Sequence, residues 1–166
     1  MTERQFSTKL VTNRRKERAF PISTNSQFAV AIHTLTLIAQ AEDGPVTSEY
    51  IAGSVNTNPV FIRRILGLLS RAGLVISQPG VGGGWRLLRD PATITLLDVF
   101  RAVDEGHLLS MHHSTPNIDC TVGRNIQHTL SVYFGEAEHA FEQVLAQQTV
   151  AQVLKTVLDT PSSQQK

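Results

Sequence analysis

The chain has 166 residues, 41% hydrophobic and 17% charged, a balance that fits one core plus an assembly element and excludes a disordered chain. A single cysteine excludes an intramolecular disulfide framework. No stretch approaches a membrane span, and the N-terminus lacks a signal-peptide core, which points to the cytoplasm. The formal net charge of +1 is unevenly spread: residues 1–20 carry +4 and the remainder −3.

Residues 1–21 read as a disordered basic leader, since they show neither amphipathic period nor folding signal. The alternative is an arm that adds sequence-independent phosphate contacts. A first helix is expected over 23–40, capped by Thr24, Asn25 or Ser26, with Phe28, Ile32, Leu35, Ile38 and Ala39 as its buried stripe. Glu42-Asp43-Gly44-Pro45 breaks it, and Thr47 caps a short helix through Ala52.

Asn58 and Pro59 then provide a cap and first turn, and Gly73 provides a left-handed stop. Between them Phe61, Ile62, Ile65, Leu66, Leu68 and Leu69 fall on one side, and Val60, Arg63, Arg64, Gly67, Ser70 and Arg71 on the other. Residues 73–78 and Trp85-Arg86-Leu87-Leu88 form two short strands around Pro79-Gly80-Val81-Gly82-Gly83-Gly84. The glycines do not end in Gly-Lys-Ser/Thr and no helix opens directly after them, which excludes a phosphate-binding nucleotide loop. The arrangement is that of a winged helix-turn-helix spanning 22–104. Thr57, Asn58, Val60, Arg63, Arg64 and Arg71 are the candidate DNA contacts on the helix, and Gly82, Gly83, Gly84 and Arg86 those on the wing. Val60 can touch a thymine methyl and Arg63 can pair with guanine, while Arg64 and Arg71 suit phosphates. The glycine tip suits phosphate or a minor groove.

Arg89-Asp90-Pro91 is a turn, and Thr95 with Asp98 makes a capping box for the next helix. Residues 105–120 lose periodicity and are assigned as a linker or sensory loop. From there Val122, Ile126, Leu130, Tyr133, Ala137, Phe141 and Val144 recur at helical spacing and are the candidate dimerisation stripe of a helix over 122–148. Thr149 and Gln152 make another capping box. Residues 121–160 are thus assigned as dimerisation helices, and 161–166 as a disordered tail. The fold class is mainly α with a small β wing: a DNA-reading head followed by a long dimerisation helix. Double-stranded DNA and a second copy of the chain are the expected partners, with no membrane.

Gln27-Phe28-Ala29-Val30, Arg71-Ala72-Gly73-Leu74-Val75, Gly82-Gly83-Gly84-Trp85-Arg86-Leu87, Ile94-Thr95-Leu96-Leu97-Asp98-Val99 and Cys120 before its long helix carry a resemblance over residues 22–158. The chain resembles the Rrf-two (Rrf2) family of bacterial winged-helix transcription regulators. Asn56-Thr57-Asn58-Pro59-Val60 and Ile62-Arg63-Arg64 look like the branch without an iron–sulfur cluster. The resemblance implies a homodimer on a dyad-symmetric operator, usually a repressor. Cluster-binding members carry three cysteines in the loop before the long helix. Cys120 fills one of those positions, the other two are absent, and Gly123 stands where the iron–sulfur cluster regulator has a histidine.

No cofactor is expected, because one thiolate per subunit cannot supply the usual cluster ligands. Nor is a metal: His107, His112, His113 and Cys120 match no common zinc spacing. Two readings of Cys120 stay open, a redox switch activated by the following helix and a small apolar anchor of the loop. An enzyme is not expected, since no nucleophile has a base at recognisable spacing. The alternatives to a redox-gated repressor are a winged-helix module for protein or RNA, and the same repressor gated by a small molecule.

Overall fold

The computed structural model describes residues 26–41, 44–103 and 108–160. Element order is α1 (Ser26–Gln40), α2 (Ser48–Val55), α3 (Pro59–Arg71), β1 (Val75–Gln78), β2 (Gly84–Leu87), α4 (Leu96–Val103), α5 (Thr121–Ala146) and α6 (Val150–Asp159). Of the proposed caps for the first helix, Thr24 and Asn25 lie outside the described residues, as does the break at Glu42 and Asp43.

The Thr47 hydroxyl accepts from the Tyr50 N–H at the start of α2, as its sequence position predicts. The helix runs beyond Ala52 to Val55 and stops where Asn56 turns left-handed (φ 57°), returning its N–H to the Ala52 carbonyl. Asparagine adopts that conformation more readily than most residues, so this stop needs no glycine. The end of α3 does use one: Gly73 has φ +70°, and the Leu74 N–H reaches back to the Leu69 carbonyl at 3.0 Å. The chain therefore leaves α3 straight into the hairpin.

β1 and β2 pair antiparallel in the register Val75↔Leu87, Ile76↔Arg86, Ser77↔Trp85 and Gln78↔Gly84. Val46 adds a third rung on the far side of β2, exchanging both backbone hydrogen bonds with Trp85 at 2.9 Å. The Thr95–Asp98 capping box forms in both directions, at 3.1 and 3.0 Å.

One core holds the head together. Leu35, Ile51, Ile62, Ile65, Leu66, Leu69, Leu74, Val75, Ile94, Val99 and Val150 are all at most 1% exposed. The presence of Val150 in that set corrects the assignment of 121–160 as dimerisation helices. The α6 helix packs on α1. It is tied to the segment before α4 by Val150 N–H to the Ile94 carbonyl (3.0 Å), Leu96 N–H to the Gln148 carbonyl (2.8 Å) and a bridge between Thr95 and Thr149. Thus α6 completes the reading head, whereas α5 meets it near its C-terminal end.

The α5 helix has no buried residue along its 26 positions, close to 39 Å of helix. Its C-terminal end touches the head. Phe100 lies edge-on to Phe141 (centroids 5.2 Å) and to Phe28 (5.3 Å), and Arg101 pairs with Glu142 at 3.0 Å. Phe141 is therefore a second correction: periodicity put it on the outward stripe, but the return of the chain to the head directs its ring inward. Val122, Tyr133, Ala137 and Val144 are exposed, and Ile126 and Leu130 half-buried. Among the described residues no helix is long and apolar enough to cross a membrane.

Candidate nucleic-acid interface

The α3 helix carries the surface. Its hydrophobic side contributes Ile62, Ile65, Leu66 and Leu69 to the core. This fixes the rotation of the helix and turns Val60, Arg63, Arg64, Ser70 and Arg71 to the exterior, with Gly67 half-buried among them. Val60 is 71% exposed, an apolar side chain on the arginine-bearing face. A Cβ built on Gly67 meets no neighbouring atom within 4 Å, so none of the described residues requires a glycine there. A missing side chain in the middle of an arginine-bearing face leaves room for an outside surface to come close.

The start of the helix is shaped by its cap. The Asn58 side-chain oxygen accepts from the Phe61 N–H at 2.8 Å, which leaves the amide nitrogen as the group free to meet a ligand. Half-buried Thr57 sends its N–H to the Ala52 carbonyl at 3.0 Å.

The three arginines differ. Arg63 is bound into a small network. Its Nε–H donates to the Ser48 hydroxyl at 3.2 Å, its Nη2 pairs with Glu49 Oε1, and the Ser48 hydroxyl donates to Glu49 Oε2 at 3.3 Å. The backbone N–H of Glu49, and then Arg63, hold the Glu49 carboxyl below the ordinary carboxylate range. Arg64 and Arg71 are exposed, with no side-chain partner among the described residues. Free guanidinium groups on an exposed helix face suit phosphate contacts. Sequence reasoning missed Ser48 and Glu49, since they precede Arg63 by 15 and 14 positions and no local spacing joins them.

The wing is narrower at its tip than the sequence implies. Gly84 belongs to β2, opposite Gln78, and a Cβ there would lie 2.7 Å from the Val46 carbonyl oxygen. Gly84 is thus a close-approach glycine in the last strand rung before the turn, and a correction to its assignment within the tip. Gly83 is similarly confined, by the Gln78 carbonyl, and bonds to the Gly80 carbonyl at 2.9 Å. Gly82 (φ +73°) and fully exposed Val81 form the outward tip. Arg86 is exposed and braced across the hairpin, its Nε–H donating to Gln78 Oε1 at 3.1 Å.

Cys120 is the N-cap of α5 and is exposed. The backbone N–H groups of Gly123 and Val122 hold the thiol below its ordinary value, although the side chain makes no capping hydrogen bond. The loop passes tightly over this turn, because a Cβ on Gly123 would collide with the Asn117 carbonyl oxygen. Position 123 therefore admits no ligating side chain on this backbone. His112 and His113 are exposed and His107 lies outside the described residues. Among the described residues no three His, Cys, Asp or Glu side chains gather as a metal-holding group.

A helix-turn-helix whose second helix presents an arginine face, followed at once by a glycine-tipped hairpin, defines a winged-helix DNA-binding protein. The sequence comparisons agree. Residues 24–156 match the family described as Rrf2, iron-dependent transcriptional regulator. The chain is 45% identical over 130 residues to YwnA of Bacillus subtilis, assigned to the HTH-type transcriptional regulators, covering 78% of this chain and 96% of YwnA. A crystal structure of a protein assigned to the DNA-binding proteins shares 42% identity with a TM-score of 0.64, over 78% of this chain and 99% of that one. The structure of T. potens IscR, at 24% identity and TM-score 0.63, covers 89% of this chain and 95% of that one and shows the same fold. The chain belongs to the Rrf2 family and is a DNA-binding transcriptional regulator, not an enzyme.

Proposed function

We propose that the protein acts in the cytoplasm as a homodimeric repressor on a dyad-symmetric operator. Each α3 lies in a major groove, one DNA turn from its partner. The observation that carries the dimer is α5. It is 26 residues long with none buried, and Val122, Val132, Tyr133 and Val144 are 48–67% exposed. A second copy of the same helix is the economical cover for such a stripe. Repression follows from a dimer occupying promoter DNA that polymerase needs. Sedimentation velocity of the full chain and of Tyr133→Asp, beside fluorescence anisotropy on its own upstream DNA and on scrambled DNA, tests the assembly. A dimer that binds as one unit, with a variant that falls to monomers and loses affinity, is expected. A wild-type monomer that binds the site singly would refute it.

The regulator works without an iron–sulfur cluster in this reading. One cysteine per chain and a position 123 closed to any side chain do not fit the donor set that such a cluster uses. The signal is instead oxidation of Cys120. Its thiolate attacks the O–O bond of a peroxide, giving a sulfenic acid and releasing hydroxide or alkoxide. The resulting change in the loop tilts α5 and shifts the separation of the two heads. Exposure of the sulfur, its place at the start of α5 and a thiol held below its ordinary value by nearby backbone N–H groups support this. A Cys120→Ser protein whose DNA binding still responds to peroxide would exclude the thiol switch and direct the search to a small molecule bound by the 105–120 loop.

A further inference from the structure

Arg63 lies on the face that meets DNA, yet its guanidinium is already engaged by α2. Which of its N–H groups are engaged decides what remains. A guanidinium offers two planar pairs of donors: a side-on pair, Nε–H with one Nη2–H, and an end-on pair, Nη1–H with the other Nη2–H. In this structure the side-on pair is taken, Nε by the Ser48 hydroxyl at 3.2 Å and Nη2 by Glu49 Oε1. Ser48 Oγ donates to the other Glu49 oxygen at 3.3 Å, so the three groups close a ring of consistent polarity. Ser48 is only 7% exposed, which fixes one corner of that ring in the body of the head. The pair itself is about half exposed (side chains 53% and 58%) and adds little to stability. Its consequence is orientation.

We infer that Glu49 and Ser48 are specificity-determining residues: they clamp the side-on edge of Arg63 and leave its end-on fork to a guanine in the major groove. The inference rests on the reading of Arg63 as a base contact. The fork matches guanine O6 and N7, a bidentate pair that no other base edge offers. An unclamped arginine would instead sample nearby phosphates, which carry no sequence information. Glu49 acts through Arg63, so it is a positioning residue. Its carboxylate also screens one positive charge of the face from the phosphates.

The test uses the full chain with a pool of random duplexes, followed by dissociation constants for all four bases at each selected position. Wild type should demand guanine at one position per half-site by about 5- to 150-fold, the range of a good bidentate contact. Arg63→Ala should lose that preference there and nowhere else, and Arg63→Lys should not restore it, having no fork. Glu49→Gln and Glu49→Ala should lose most of the guanine preference, falling close to the level of Arg63→Ala. Both should bind scrambled DNA as tightly as wild type or more tightly, with a steeper salt dependence as Arg63 is released to phosphate. Guanine preference intact in both Glu49 variants but lost in Arg63→Ala would overturn the clamp and leave the base contact standing. An Arg63→Ala protein weakened uniformly at every position would remove the base contact, and the clamp with it. Sharper preference and tighter operator binding in Glu49→Ala would show that Glu49 competes for Arg63, which also overturns the inference.

Discussion

Replacing Val150 by alanine tests the reassignment of α6 directly. Val150 is wholly buried and belongs to the same core as Leu35, Ile94 and Val99. The change removes two carbons, at about 0.8 kcal/mol each for transfer from water. A residual cavity of about 40 Å³ adds roughly 1 kcal/mol at ~24 cal/mol per Å³. The expected loss is about 2–3 kcal/mol, or roughly 5–10 °C in Tm for a chain of this size. Thermal unfolding by circular dichroism should be run at two protein concentrations well apart. The downward shift should be similar at both, because the contact lies within one chain. The control is Val157→Ala on the same helix, where the side chain is 57% exposed and the change should stay within about 0.5 kcal/mol. An unchanged Tm in Val150→Ala, or a loss seen only at low concentration, would place α6 at the dimer contact and refute its role in the head.

Two glycines should respond to alanine with opposite signs. Gly67→Ala meets open space in mid-helix, so stability should rise by about 0.8–1 kcal/mol, while operator affinity by anisotropy falls because the added methyl holds the face off the DNA; unaltered affinity would dismiss close approach there. Gly84→Ala sets a Cβ 2.7 Å from the Val46 oxygen and should cost about 1–3 kcal/mol, with faster amide exchange at Val46 and Trp85; unchanged protection would count against the third rung. For Cys120, the Gly123 and Val122 N–H groups favour thiolate. Its iodoacetamide reactivity should therefore rise with pH to a midpoint below the ordinary 9.0, and a midpoint at or above that of a free cysteine peptide would contradict the geometry. The sign for stability is the same: the thiolate contribution is present above the unfolded value and lost as pH falls through the lowered folded value.

The reading helix was the most legible element. Asn58, Pro59 and Gly73 mark its ends by local chemistry, and its apolar residues at the helical period become the buried side. The capping boxes at Thr95 and Thr149 were equally plain, because each is written within four residues. What a cap cannot tell is where its helix docks, so α6 was read with α5 rather than with the head. Phe141 failed for a related reason: periodicity defines a stripe, and the choice between one's own head and a second copy belongs to tertiary packing. The glycine run likewise hid a division of labour, since Gly82 faces out while Gly84 clears the way for Val46. The Ser48–Glu49–Arg63 ring is long-range and left no pattern to find.

The position of α6 also bears on how the protein is made. Residues 26–103 leave the ribosome well before Val150, yet the core they build is closed by Val150 and by the hydrogen bonds from residues 148–151 to 91–96. During synthesis the DNA-reading half must wait, with part of its apolar interior uncovered, until the long helix has been made and the chain has come back. At roughly 5–20 residues per second the intervening stretch takes seconds to make, far longer than the hairpin or any single helix needs to form. Completion of the reading surface is thereby coupled to completion of α5, so truncated products that stop within α5 carry the arginine face on an unfinished core.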